Sequence, residues 1–257
     1  MFHNPLKLLT LARDLKRRKA RERQQLFSVE GVRAVEELLR ATLPIRGVLV
    51  APQLADAPRG AALVTALRAR DIDVTQVAPL DFASAAETDS PQGVLAIAEI
   101  PSFTADTLTL PASARLVVLD AVQDPGNVGT ILRTAAALGA EAVLAMPGTV
   151  DLWNPKVVRS AMGAHFHLPA GACDWAALDR LRARAGVTVW AADAGGRALA
   201  ELHAPPRLAL LVGNEGAGLS DEGRARADAV VGLPIGARVE SLNVAVATGI
   251  FLYQLRP

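Results

Sequence analysis

Apolar positions along the chain recur with two different periods, and the pattern changes character near residue 114. In EGVRAVEELLRA, Val32, Val35 and Leu39 fall three and four apart, the spacing of one helix face. IRGVLVA reads as a short strand, AALVTALRARD as a second helix, and DVTQVA as the strand that follows it. LDFASAAETD reads as a helix or turn leading into a further strand, GVLAIAEI. PSFTADTLTLPAS is bracketed by Pro101 and Pro111 and has no sustained period. It predicts a linker over 103–114 between one domain at 1–102 and another at 115–257.

From Arg115 onward, near-continuous apolar runs alternate with helical stretches: RLVVLD, a helix over GNVGTILRTAAALGA, AVLAM, a helix near PKVVRSAMG and another at WAALDRLRARA. VTVWAAD, LALLVG and VVGLPI follow as strands, with a short helix at SDEGRARA, and the chain closes on SLNVAVATGIFLYQL. Strands this apolar are buried on both faces, so the alternation predicts an α/β domain with a mostly parallel sheet covered by helices. The last helix is apolar almost all round and should lie inside the fold or against another subunit.

A chain of 257 residues with 51% hydrophobic content and mean hydropathy +0.27 can bury a substantial core. No run of 18 or more uncharged apolar residues interrupts it, and the first residues turn basic before a signal-like stretch forms, so the expected setting is cytoplasmic with no membrane partner. One cysteine, Cys173, and the scattered His3, His165, His167 and His203 offer no metal-ligand spacing, and no metal is expected. The net charge of +1 conceals an asymmetry. Residues 7–24 hold Lys7, Arg13, Lys16, Arg17, Arg18, Lys19, Arg21 and Arg23 against Asp14 and Glu22, a local +6 that leaves −5 for the remainder. Either a polyanion such as RNA binds there, or the segment is a solvated helix of mixed charge.

Ligands of open parallel sheets bind beyond the carboxyl ends of the strands, which directs attention to three turns. After LVVLD comes DAVQDPGNVGTILRTA, where Asp124 can cap a helix, Pro125 suits its first turn, and Asn127, Gly129 and Arg133 follow. After LALLVG comes GNEGAGLS, with Gly213, Gly216 and Gly218 around Glu215; it is either an ordinary turn or a loop shaped to wrap a ligand. After VVGLPI, Ser241 and Asn243 open the last helix, as caps or as site residues. No GxGxxG and no Gly-Lys-Ser/Thr accompanies these turns, which disfavours a dinucleotide oxidoreductase and a P-loop enzyme.

DPGNVGTILRTAAALGA, LLVGNEGAGLS and LPIGARVESLNVAVATGIFLYQL resemble, in order, the three motifs of the SpoU (TrmH) family of RNA 2'-O-ribose methyltransferases, and SAMGAHFHLP resembles the segment between the first two. The N-terminal part, from FSVEGVRAVEELL to SPQGVLAIAEI, is similar to an L30e-like substrate-binding domain carried by the longer members. The resemblance implies a trefoil-knotted parallel-sheet methyltransferase domain, a homodimer, S-adenosylmethionine as cofactor, and a structured RNA, 23S ribosomal RNA before transfer RNA, as substrate. It implies cofactor contacts at Gly213, Ile235, Leu242, Asn243 and Leu211, and catalytic or positioning roles for Arg133, Asn127, Glu215, Ser241 and Asn243. A guanidinium is a permanent cation in proteins, so the family's arginine can serve either as an unusually perturbed base or as a phosphate and charge-stabilising group. The rival to a methyltransferase is a non-catalytic RNA-binding assembly factor on the same fold.

Overall fold

The computed structural model describes residues 5–236 and 238–256. The chain forms two compact units, Met1–Pro101 with Trp153–Phe166, and Ser102–Leu152 with His167–Pro257.

The first unit opens with helices α1 (Pro5–Asp14) and α2 (Arg18–Gln24), then strand β1 (Leu26–Glu30), α3 (Val32–Arg40), β2 (Ile45–Val50), α4 (Pro58–Arg68), β3 (Val74–Gln76), α5 (Pro79–Ala85) and β4 (Val94–Glu99). Its sheet runs β1-β4-β2-β3, with β4 antiparallel to β1 and β2, and β2 parallel to β3. The basic segment is built into this unit. Leu8, Leu9, Ala12 and Leu15 are buried in one cluster with Leu49, Phe82, Leu95 and Ile97, so α1 is an amphipathic helix whose apolar face covers the sheet.

That burial redistributes the charges expected to meet RNA. Arg21 is 2% exposed and donates to the carbonyl oxygens of Leu15 and Lys16 at 2.7 and 2.9 Å, closing the turn between α1 and α2. Its expected RNA contact is therefore corrected to a structural role, because a buried guanidinium with carbonyl partners does not reach a phosphate. Arg13 bonds Ser84 and Asp81 at 2.7 and 3.0 Å, Lys16 donates to the Ala86 carbonyl at 2.6 Å, Arg17 pairs with Asp14, and Arg18 bonds Glu22 at 2.7 Å. Lys19 and Arg23 stay exposed with no partner among the described residues.

The sequence reading assigned Trp153–Phe166 to the second domain, whereas this excursion packs with the first unit. It carries α7 (Pro155–Ala161), which lies against β1. The Trp153 and Phe27 rings sit 4.4 Å apart, and His165 and Phe166 complete an aromatic cluster. His165 is 2% exposed, and neither ring nitrogen has a hydrogen-bond partner among the described residues. Burial pushes its pKa from an ordinary 6.5 down to about 3.

The second unit contains β5 (Ala114–Leu119), α6 (Pro125–Ala137), β6 (Ala142–Ala145), β7 (Ala170–Ala172), α8 (Trp175–Ala185), β8 (Thr188–Ala198), β9 (Arg207–Val212), α9 (Asp221–Arg226), β10 (Ala229–Gly232) and α10 (Val244–Gln254). All neighbours in the order β10-β8-β9-β5-β6-β7 are parallel, as the apolar strands predict. The stretch read as a linker is part of this unit: Ala105 and Leu110 are buried in its core, and Asp106 holds Arg180 of α8 at 2.8 Å.

Two helices place the site. Asp124 caps α6 by accepting from the Asn127 amide at 2.7 Å, with Pro125 in the first turn, and Val128, Gly129, Ile131 and Leu132 are buried. Packed on it is α10, where a Cβ on Gly249 would stand 3.3 Å from the Thr134 methyl. Only one side of α10 is covered: Ala245, Thr248, Phe251 and Leu252 are buried, whereas Val246, Ile250 and Tyr253 form an exposed stripe at helical spacing. Among the described residues, no helix is long and apolar enough to cross a membrane.

Candidate active site

The middle of β8 (Ala192, Asp193 and Ala194), the loops that follow β9 and β10 and the first turns of α10 line a cavity of about 490 Å³ at the carboxyl edge of the parallel sheet. This is the size of a small-molecule site, roughly 300–1,000 Å³. Gly213, Ile235, Leu242 and Asn243 line it, together with Glu215 and Ser241. Leu211 does not. It is 0% exposed within the core, and its Cδ2 lies 3.0 Å from the position a Cβ on Gly223 would occupy. Alternation along β9 turns its side chain away from the cavity, and it is the neighbouring Val212 that lines it.

The glycine loop is shaped by its own backbone. Asn214 accepts from the amides of Gly216 and Ala217 at 2.9 Å and donates to the Ala121 carbonyl at 2.8 Å, tying this loop to the turn after β5. Ala121 itself holds a left-handed φ of 56°, an uncommon conformation for a residue with a side chain. At Gly213 a Cβ would come within 2.4 Å of the Gly218 carbonyl carbon, so only glycine lets the two ends of the loop close on each other.

One hydrogen-bond chain joins all three turns. Glu215 accepts from the Asn127 side-chain amide at 3.0 Å and from the backbone amides of Gln123 and Asp124 at 3.3 Å. Asn127 in turn accepts from the Asn243 side-chain amide at 2.9 Å. The oxygen of Asn243 caps α10 by accepting from the amides of Ala245 and Val246 at 2.9 and 3.3 Å. Asn243 is thus the cap, and Ser241 is an exposed residue of the cavity rim rather than a helix cap. Partial burial would raise the Glu215 pKa, but the hydrogen bonds from Asn127, its own amide and the Gln123 and Asp124 amides outweigh it and hold the carboxyl below the usual carboxylate range. It is a carboxylate at neutral pH.

Arg133 lies beyond Asn127 on α6, exposed and with no hydrogen-bond or ion-pair partner among the described residues. Neither Arg133 nor Asn127 lines the cavity, although Asn127 is bonded to two residues that do. Sequence reasoning missed Asp193, Asn214, Leu233, Glu240 and Phe251 among the cavity and its supports. Glycine around Asn214 was a usable signal for it. Asp193 had one too, as the first charged residue after the apolar run VTVWAA, although β8 runs on past it to Ala198. No group of three or more His, Cys, Asp or Glu side chains among the described residues is arranged to hold a metal ion.

A parallel-sheet α/β domain with three polar turns bonded to one another beside a glycine-lined cavity, accompanied by a smaller mixed α/β unit, defines a two-part small-molecule-binding protein of the α/β class. Comparison with known proteins makes this specific. Residues 114–253 match the model described as the SpoU rRNA Methylase family, and residues 9–96 match the MRM3-like substrate binding domain. The chain belongs to the SpoU rRNA methylase family. It is 34% identical over 249 residues to the 23S rRNA (guanosine(2553)-2'-O)-methyltransferase RlmP of Bacillus subtilis, covering 95% of this chain and 94% of that one. Among solved structures, an AdoMet-bound rRNA methyltransferase from Sinorhizobium meliloti superposes with a TM-score of 0.85 at 30% identity, covering 97% and 94% of the two chains. The SpoU methyltransferase AviRb from Streptomyces viridochromogenes, in complex with AdoMet, does so with a TM-score of 0.86 at 28% identity and 96% of each chain.

Proposed function

We propose that this protein transfers a methyl group from S-adenosylmethionine to a ribose 2'-hydroxyl of ribosomal RNA, with 23S RNA the favoured substrate. The observation that carries the reading is the Glu215–Asn127–Asn243 chain, which bonds the first family motif to two others that line one cavity. Gly213, Ile235, Leu242 and Asn243 would hold the cofactor, and the close approach of the loop at Gly213 leaves backbone rather than side chains on that wall. Bound there, S-adenosylmethionine would supply an electrophilic methyl on its sulfonium, whose carbon–sulfur electron pair would return to sulfur as the ribose oxygen takes the methyl and gives its proton to water.

The protein's part is alignment, charge stabilisation and proton removal. Arg133 is available for an incoming phosphate or for negative charge developing on the ribose oxygen. Glu215 has its oxygens committed to Asn127, Gln123 and Asp124, which suits a positioning role that fixes the loop after β9 to the start of α6. Ser241 is exposed at the rim, where it is available to the RNA. The exposed stripe of Val246, Ile250 and Tyr253 supports a homodimer formed over α10, and the resemblance supports a knot through which this helix is threaded. In the first unit, Lys19 and Arg23 are the cations of the basic segment most available to phosphates.

The test is transfer of labelled methyl from S-adenosylmethionine to ribosomal and transfer RNA lacking ribose methylation, with Arg133→Ala as control. Label on a ribose 2'-oxygen of 23S RNA, lost in the variant, is the expected result. Label on transfer RNA alone would overturn the substrate assignment, and cofactor binding with no transfer to either RNA would favour the assembly-factor reading.

A further inference from the structure

The charge on the cavity wall has a sign. Asp193, Glu215 and Glu240 all line the cavity, and its described lining includes no lysine, arginine or histidine. The three carboxylates are not equivalent. Asp193 is neutralised locally by Arg224, whose guanidinium bonds it at 2.8 Å, and it also accepts from the Gly195 amide at 3.0 Å. Glu215 has neutral partners only: a side-chain amide and backbone amides. Glu240 is exposed and has no hydrogen-bond or ion-pair partner among the described residues. Two carboxylates of the lining, Glu215 and Glu240, therefore have no compensating cation among the described residues.

S-adenosylmethionine and its product S-adenosylhomocysteine share the adenosine and the amino-acid ends. They differ by one methyl group and by the positive charge on sulfur. We propose that Glu240 is a specificity-determining residue: together with Glu215 it gives the cavity a negative field that favours the cationic sulfonium over the neutral thioether product. Through this field the same pocket that gathers the methyl donor loosens its hold once transfer has removed the charge, and the demethylated product is released more readily. The inference rests on the reading that the cavity holds S-adenosylmethionine. Glu240 acts at a distance on a charge, so it needs no fixed contact with the ligand, which agrees with its exposed place on the rim.

The experiment is calorimetric binding of three probes to the full chain: S-adenosylmethionine, S-adenosylhomocysteine and sinefungin, an analogue that carries an amine in place of the methylated sulfur. In Glu240→Gln the affinities for the two cations should fall by about 3- to 10-fold, the effect of one unit charge near a partly solvated cation, while that for S-adenosylhomocysteine changes less than about 2-fold. Raising the salt from about 0.05 to about 0.5 M should narrow the difference between cationic and neutral probes in the wild type and narrow it less in the variant. Equal changes for all three probes, or an unchanged ratio, would overturn the proposal while leaving the cofactor reading intact. Failure of the wild type to bind any of the three would overturn both. Glu240→Asp, which keeps the charge, should preserve the ratio; loss of it there would assign the effect to shape instead.

Discussion

Replacing His165 by leucine should flatten the acid side of the protein's stability curve. The imidazole is buried against Trp153 and Phe166, its nitrogens lack partners among the described residues, and its folded-state pKa is pushed down to about 3 from 6.5. The neutral ring is tolerated and the charged ring is not. Because the folded value lies below the unfolded one, the unfolded chain takes up the proton first as the pH falls. The stability linked to this group is complete above about pH 6.5, declines by about 1.4 kcal/mol per pH unit below it, and is exhausted near pH 3. At pH 5 the loss is about 2 kcal/mol relative to pH 8. Leucine removes the titration and the unsatisfied nitrogens while roughly keeping the volume, so at pH 8 the variant should match the wild type or exceed it by about 1 kcal/mol. The gap should then widen by about 2 kcal/mol by pH 5. Urea unfolding at both pH values, read by fluorine NMR of 5-fluorotryptophan, reports Trp153 in the first unit separately from Trp175 and Trp190 in the second. Other titrating groups are common to both proteins and cancel in the difference. Parallel pH profiles for the two proteins would refute the reasoning.

Gly213→Ala should weaken S-adenosylmethionine binding at least about 10-fold and cost about 1–3 kcal/mol of stability in the second unit, because its Cβ would meet the Gly218 backbone at 2.4 Å; calorimetry and thermal unfolding check both, and a wild-type affinity would contradict the closure argument. Lys19→Ala with Arg23→Ala should lower the slope of RNA affinity against salt by up to about 2 without affecting folding, whereas Arg21→Ala should destabilise the first unit by about 1–3 kcal/mol; the opposite assignment would return Arg21 to the RNA surface. Val246→Lys should shift sedimentation from dimer to monomer, and an unaltered sedimentation coefficient would show that the α10 stripe is not the contact.

The parallel sheet was legible because Leu116–Leu119 of β5, Leu208–Val212 of β9 and Val189–Ala192 of β8 are unbroken apolar runs, and the caps at Asp124 and Asn243 obey local rules that need no tertiary context. Family motifs pointed to three turns that the structure bonds to one another, and Gly213, Ile235, Leu242 and Asn243 line one cavity. What escaped had non-local causes. β1 was not read as a strand because LFSVE has no alternation, being buried on both faces. The basic run masked Leu8, Leu9, Ala12 and Leu15, whose common face decides that α1 packs rather than waves in solvent. Arg21 reads like its neighbours in sequence and differs only in what surrounds it. Leu211 was carried over with its motif, although strand alternation alone would have turned it inward. Asp193 lies within β8 and Glu240 in the segment before α10, and the two come to line one cavity only after the sheet is assembled.

The excursion Trp153–Phe166 makes the two units inseparable as pieces of gene. A fragment ending at Pro101 would lack Trp153 and α7, leaving Phe27 and the β1 face without their cover, and a fragment beginning at Ser102 would carry that aromatic hook with nothing to receive it. Exchange of the substrate-binding half between relatives therefore requires two coordinated splices: the N-terminal hundred residues and a short insert more than fifty residues downstream must travel together. Recombination at a single crossover is penalised, and the pairing of a given RNA-facing half with its catalytic half is expected to be inherited as a unit.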